Sequence, residues 1–517
     1  MSLLRLLRLN GVPTTSLTEC RKTPDFGDYF EHVQSGRRGW QVADAIMAGR
    51  KNRQSEMKVD PFRMFLYVCL IGFITLMLVG YTMLKEDKYA EVDAELPAFK
   101  DLHSNENAAL REDIREPLIL WWTPFTKERG AYRKCGDVSC YFTEDRHYWQ
   151  HTNTKVVMFY GTSLKVYDLP LPRQPTQEWA LLHEESPKNN FLLHMPLFIS
   201  LFNHTATFKR EADFPLTFQH LVDLRWLEGT KYLVSTDEKN RLQRDQGLAM
   251  ISYTQSDQNV PTNRDGYVSA LMKEIVIDSY GTCLHNKDLP EHVKDPVIGM
   301  EHEDFYRLQA QYKFSLAMEN YVCDDYVTEK VWRPLMLGTV PVIHGSPRIK
   351  DILPDNHSAI IIEDFKSAKE LANYLKFLNK NDEQYNKFFN WKKTGVTNPY
   401  LKAQMLKRSW SVQETWKNER TNFIEDFECF VCKRLHENIK LEKAGKAQKP
   451  RIVEGSHTSC PKPAPFFGNH NSWTSQWDHT ENVAEAVRYY AEKNVQFSKG
   501  DLHAKVSELA YKKKSWF

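Results

Sequence analysis

From Met64 to Leu84 the chain reads MFLYVCLIGFITLMLVGYTML, 21 residues without a charge. At about 1.5 Å per residue, such a helix matches a hydrocarbon core of roughly 30 Å, so the run predicts a transmembrane helix at 64–84. It begins too far into the chain, and is too long, for the apolar core of a cleaved signal. Arg50, Lys51, Arg53, Lys58 and Arg63 precede it, whereas Lys85–Glu95 holds five acids and two lysines. That asymmetry leaves residues 1–63 as a cytosolic tail and sends the remainder to the lumen, a single-pass type II arrangement. Residues 85–116 are charged, show little periodicity and suit a stem.

Beyond the stem, short apolar runs alternate with helical spacings. Leu118–Trp122 reads as a first buried strand, and Trp179 leads an apolar run that breaks at Glu184-Glu185-Ser186-Pro187. After a charged connector at Asp237–Asp245, Leu248–Tyr253, Ile275–Tyr280, Lys313–Met318 and Val340–Ile343 read as strands. Helices separate them, one with Tyr267, Val268, Leu271 and Ile275 inward, another with Val327, Val331 and Leu335 inward. This alternation predicts an α/β fold with one domain over 117–245 and a second over 246–438. Residues 439–517 form a C-terminal extension, irregular over Lys440–Asp478 and helical over Thr480–Asn494, with nothing in it that suggests chemistry.

Composition changes this picture little. The chain is 41% hydrophobic and 26% charged, and 69 basic against 67 acidic residues give no global reason to invoke nucleic acid. Seven cysteines lie beyond the span, and an oxidising lumen makes disulfides of them. Cys429-x-x-Cys432 also has the spacing of a redox pair or half a zinc site, but no second CxxC accompanies it. Asn203-His204-Thr205 and Asn356-His357-Ser358 are N-glycosylation sequons on the luminal side.

The chemistry concentrates in YKFSLAMENYVCDDYVTEKVWRPLMLGTVPVIHGSP, Tyr312–Pro347. Glu319-Asn320 sits at a strand exit, where open α/β sheets bind ligands. Tyr326, Glu329, Lys330 and Arg333 share the polar face of the next helix. A carboxylate for sugar hydroxyls, an ammonium for phosphate and a phenol for packing are what a sugar nucleotide requires. A solvated helix face is the ordinary reading of such residues taken singly. The whole string, however, closely resembles the donor signature of the α-1,3-fucosyltransferases (glycosyltransferase family 10), in which an E-N pair precedes D-Y-[IV]-T-E-K-[LV]-W-R.

Two further stretches carry the resemblance. Glu185-Ser186-Pro187 matches the family's acceptor-side E-S-P, which implies that Glu185 is the catalytic base. Leu201–Pro215, LFNHTATFKREADFP, resembles L-F-N-x-T-x-T-Y-R-R-D-S-D and implies acceptor-side roles for Lys209, Arg210 and Asp213. Here Phe208, Lys209, Glu211 and Ala212 depart from the family pattern, and Lys cannot reproduce an arginine fork. Arg264, leading a helix like the family's S-x-R-x-x-Y-x-x-L, is the candidate for the pyrophosphate, with Glu319, Asn320, Tyr326, Glu329 and Lys330 completing the donor set. Ser279–Leu284 and Asn286–Pro290 resemble the divergent branch called fucosyltransferases ten and eleven, over roughly 117–438.

The resemblance implies a GT-B architecture, two Rossmann-like domains facing a cleft, and a luminal enzyme of the Golgi or endoplasmic reticulum membrane. It implies disulfides between the pair Cys135/Cys140 and the pair Cys429/Cys432. Cys283 with Cys323 is the remaining guess, leaving Cys460 odd. No Asp-x-Asp occurs in the chain, so the expectation is a donor site without a metal or other cofactor, its leaving diphosphate neutralised by basic side chains. The primary expectation for activity is inverting transfer of L-fucose from GDP-fucose to the 3-hydroxyl of GlcNAc in a glycoprotein glycan. The alternatives are O-fucosylation of Ser or Thr on folded disulfide-rich domains, and a lectin-like or chaperone protein without turnover.

Overall fold

The computed structural model describes residues 114–123, 130–296, 298–412, 421–446, 451–466 and 472–514. The expected span at 64–84 lies outside them, and no helix among the described residues is long and apolar enough to cross a membrane.

Two sheets result, each with a buried parallel centre. The first contains β1 (Leu118–Trp121), β2 (Ala131–Cys135), β3 (Val138–Thr143), β4 (Thr154–Tyr160), β5 (Glu178–His183), β6 (His204–Thr207) and β7 (Phe214–Pro215), in the order 2-3-1-4-5-6-7. Its central β1 is buried at every position, as a strand covered on both faces must be, whereas edge strand β2 alternates. Only β2, hairpinned to β3, runs antiparallel. The second contains β8 (Ile251–Tyr253), β9 (Asp278–Ser279), β10 (Phe314–Met318), β11 (Val340–His344) and β12 (Ile360–Ile361), all parallel, in the order 12-11-10-8-9. The chain leaves β8 first to one side and then to the other, so a crevice opens at the carboxyl ends of β8 and β10.

Helices cross the boundaries expected from sequence. The helix α1 (Thr236–Gln246), read as a connector, belongs with the second sheet: Lys239 Nζ donates to the Gly338 carbonyl at 2.6 Å and Asn240 to Asp382 at 2.7 Å. Among the other helices of that half and its return are α2 (Arg264–Met272), α3 (Glu329–Leu337) and α4 (Phe423–Lys443). α4 comes back to the first sheet, where Phe427, Val431 and Leu435 join one core with Ile119, Trp121 and Val156. Two helices close the chain, α5 (Ser472–Lys493) and α6 (Lys499–Lys514).

The disulfides follow from this return. Cys429 and Cys432, three apart on α4, share a helix face. They bond Cys135 on β2 and Cys140 on β3, as the resemblance implied. The guess for Cys283 is corrected. Its thiol is free in the core of the second half, where burial pushes it up to about 12, and Cys323 bonds Cys460 instead. Asn203 is also corrected as a glycan site: it is 4% exposed, and its amide nitrogen donates to the Arg451 carbonyl at 2.7 Å. Asn356 lies exposed in a turn.

Because the two α4 bonds close nearly the same loop, with separations of 294 and 292 residues, they are largely redundant. Replacing Cys135 and Cys429 by Ser should cost about 2–3 kcal/mol, since a small loop is reopened; removing both bonds should cost about 5–6 kcal/mol more. Denaturant melts of the two variants test this, and a first loss as large as the further loss on removing the second bond would show that the bonds are independent.

Candidate functional site

The carboxyl edges of the two sheets meet. β5 ends at His183 and delivers Glu184 and Glu185, while β10 ends at Met318 and delivers Glu319 and Asn320. Ser186 Oγ, one residue past Glu185, donates to Asn320 Oδ1 at 2.7 Å and joins the two strand exits.

The face contributed by the second sheet is set from below. Thr328 caps α3, and its N–H and hydroxyl both donate to Glu319 at 2.8 Å. Glu319 is 1% exposed, so it braces the start of α3 and offers no free edge to a ligand. Lys330 Nζ lies 3.1 Å from Glu329 and 3.6 Å from Glu319. Burial opposes its charge, but the two carboxylates outweigh burial and keep it cationic. Burial likewise works against the Glu329 charge, and Lys330, His220 and Arg333 overcome it and hold that carboxylate ionised. Tyr326 is 4% exposed, with the Phe208 ring 5.1 Å away. Burial, then Glu319 and Glu185, push its hydroxyl far up, so it stays a neutral donor.

The two carboxyls after β5 have unlike surroundings. Glu184 is 4% exposed beside the Tyr160 hydroxyl, and burial, followed by the Glu185 charge, pushes it up to about 8. It keeps its proton at neutral pH. Glu185 is half-buried; burial and Glu329 raise it while Lys330 pulls it down. It is the ionisable member of the pair that faces the opposite lobe.

Four expected contacts are placed elsewhere. Arg264 is 2% exposed and donates to the carbonyls of Met318 and Asp257, both at 2.9 Å, so it holds the end of β10 from the interior. Asp213 has a fully buried side chain among Arg451, Arg434 and His457 and cannot touch an acceptor. Arg210 reaches across to Asp325, with Nη2 at 2.6 Å, Nε at 2.9 Å and its backbone N–H at 3.1 Å. Lys209 sits beside it, 4% exposed and 3.8 Å from Asp324. Sequence reasoning missed Glu184, His220 and Arg348. The last joins Glu211 at 2.6 Å and Asp324 at 3.3 Å, and its only signal was its place after the Gly345-Ser346-Pro347 turn.

Two tests follow from these environments. The folded carboxyl of Glu184 titrates near 8 and an unfolded one at about 4.3, so its contribution is present below about 4.3 and lost as pH rises through about 8. Glu184→Gln should therefore gain melting temperature over the parent increasingly across that window; a pH-independent difference would mean that Glu184 is ionised in the fold. Arg210→Ala should cost about 3 kcal/mol by stranding a buried carboxylate. Adding Asp325→Asn should recover most of it, because Asn tolerates the left-handed backbone found there, φ 65°. Additive losses in the double variant would deny the pairing.

Comparison with known proteins bears on both halves. Residues 114–219 match the model "Fucosyltransferase, N-terminal", and 244–449 match "Glycosyltransferase family 10 (fucosyltransferase) C-term". A Danio rerio protein named GDP-fucose protein O-fucosyltransferase 3 is 43% identical, the match covering 84% of this chain and 95% of that one. The Homo sapiens protein of that name is 44% identical, over 74% of this chain and 81% of that one. A solved α1,3-fucosyltransferase bound to GDP-fucose is 18% identical and covers 58% of this chain and 81% of that one, with a TM-score of 0.34. With both family models matched in order and a relative of this identity spanned almost end to end, the chain belongs to glycosyltransferase family 10, the fucosyltransferases.

Proposed function

We propose that this fucosyltransferase moves L-fucose from GDP-fucose, with inversion at the anomeric carbon, onto a Ser or Thr hydroxyl of a folded, disulfide-rich protein domain. The relatives named for protein O-fucosylation support this acceptor over the GlcNAc 3-hydroxyl first expected from the family. The observation that carries the mechanism is Glu185 held opposite Lys330 and Tyr326 by the Ser186–Asn320 bond across the two strand exits.

In this reading Glu185 takes the proton of the acceptor hydroxyl as that oxygen bonds the anomeric carbon. The bond from that carbon to the diphosphate breaks on the opposite face, its electron pair leaving with GDP. Lys330 stabilises the departing charge, and Arg264 adds positive potential from one layer beneath. Tyr326, Glu329 and Asn320 line the donor pocket, and Glu319 fixes their frame. Cationic side chains do the work that a metal does at an Asp-x-Asp, so no cofactor is assigned. The two sheets form the two Rossmann-like halves of a GT-B cleft. The segment 64–84 anchors the chain as a type II protein of the endoplasmic reticulum or Golgi, with the cleft in the lumen.

Full-length enzyme, given labelled GDP-fucose and a chelator, should fucosylate folded cysteine-rich domains and lose that activity when they are reduced. Transfer only to a GlcNAc-terminated glycan would return the acceptor to the first expectation. Glu185→Gln should bind GDP-fucose but lose turnover by about 10²–10⁴-fold, the usual worth of a general base. Protonated Glu185 cannot accept a proton, so turnover should fall on the acid side with a midpoint above the ordinary glutamate range, as its raised carboxyl requires.

A further inference from the structure

The loop that carries Glu185 leaves β5 and runs to Phe191, and its own lobe holds its two ends: Gln219 donates to the Glu184 carbonyl at 2.9 Å, and Asn190 donates to the Gly161 carbonyl at 3.0 Å. Between them Ser186 bonds Asn320, and Lys188 Nζ reaches Asp257 at 2.6 Å, both on the donor side. A further support comes from the C-terminal extension, the stretch in which the sequence offered no chemistry.

That extension crosses both lobes. Val453 N–H donates to the Phe202 carbonyl at 3.0 Å, and the hydroxyl of Thr207 donates to the His457 carbonyl at 2.7 Å. The chain then passes Cys460, bonded to Cys323 two residues before Asp325, and the Tyr321 hydroxyl donates to the Pro461 carbonyl at 2.7 Å. Phe466 seats on the donor lobe, 4.1 Å from the His344 ring and 4.5 Å from that of Tyr267. Finally α5 returns to the catalytic loop. Trp477 lies edge-on to Phe191 at 5.3 Å and stacks on Tyr321 at 6.4 Å. Trp473 meets Phe191 at 6.0 Å, lies 5.5 Å from Lys188 Nζ, and donates its indole N–H to Asn259 at 2.9 Å.

One aromatic joint therefore holds three parts: Phe191 from the loop of Glu185, Tyr321 from the donor motif, and Trp473 and Trp477 from α5. We infer that Trp473 and Trp477, tethered by the Cys323–Cys460 bond, are positioning residues that hold the Glu185 loop against the donor lobe. This rests on Glu185 being the base. Aromatic rings suit the task because their large, rigid contacts fix a loop with little loss of side-chain entropy. A loop released by even an ångström places the base out of reach of the acceptor proton.

The test uses the full-length enzyme and compares Trp473→Ala/Trp477→Ala, Cys323→Ser/Cys460→Ser, Trp477→Phe and Glu185→Gln. The expected result is a kcat loss of about 10–100-fold in the first two, measured well below their melting temperatures, with GDP affinity little changed. The acid limb of kcat should move to lower pH as the loosened Glu185 becomes hydrated, and Trp477→Phe should retain both kcat and the parent limb. A lowered melting temperature with parent kcat and an unmoved limb, beside an inactive Glu185→Gln, would overturn the positioning role alone. A fully active Glu185→Gln would overturn it together with the base. If the double tryptophan variant does not fold, the cysteine variant, which keeps both α4 disulfides, decides the matter by the same readouts.

Discussion

Asp325 is the point on which the two halves of the molecule depend. Its carboxylate has no exposed surface, and such a charge persists in a protein interior only when it is paired and hydrogen-bonded. Its hydrogen-bonded partner comes from outside its own lobe: the guanidinium and backbone N–H of Arg210 belong to the loop after β6, while Arg348 of its own lobe stands 3.6 Å away. The backbone N–H of Asp325 donates to Ser346 at the exit of β11. An aspartate in the left-handed region, with φ 65°, turns the chain sharply into Tyr326 and α3. The strand exits therefore cannot separate without uncovering a charge, and Tyr326 cannot shift without unwinding that turn.

With that seam closed, neighbouring carboxyls acquire different chemistries by position alone. Glu184 and Glu185 are adjacent, yet strand alternation turns one inward toward Tyr160 and lets the other face the cleft. The inner one is neutral because burial, and then the Glu185 charge, raise its carboxyl. The outer one has Lys330 within electrostatic range and is ionised more readily. Across the seam Glu319 and Glu329 divide similarly: one is consumed in capping α3, the other stays charged beside Lys330. A site with four acidic residues thus keeps the Lys330 ammonium charged between Glu329 and Glu319.

The donor half was legible in the sequence because its information is local. The apolar run 313–318, the polar pair after it and the helical spacing that follows lie within one βαβ unit, where period suffices, although the helix itself starts at Glu329 and leaves Tyr326 and Val327 before it. Among distant partners, the resemblance supplied only the two α4 disulfides, and with them the return of α4 to the first sheet. Nothing near Cys460 marks it as the mate of Cys323. Burial misled in the same way: Arg264 at a helix start, and Asn203 and Asp213 beside short strands, are polar residues at positions that look exposed in one dimension. Each is enclosed by chain that arrives later, such as Arg451 and Arg434.

The departures from the family pattern at Phe208, Lys209, Glu211 and Ala212 bear on the acceptor in an unexpected way. None lies free at an acceptor-facing surface. Phe208 packs on Tyr326, Lys209 approaches Asp324, Glu211 pairs with Arg348, and Ala212 is buried. All of these contacts are with the seam or the interior, so the altered stretch tunes how the lobes meet. A folded protein acceptor is larger than a sugar and needs a wide, rigid rim around the base. For the acceptor proposed above, such a rim would come from the Glu185 loop and the C-terminal extension, which Phe191, Trp473 and Trp477 join. Acceptor choice is therefore better sought in the packing that holds the base than in the residues where the sequence motif changes.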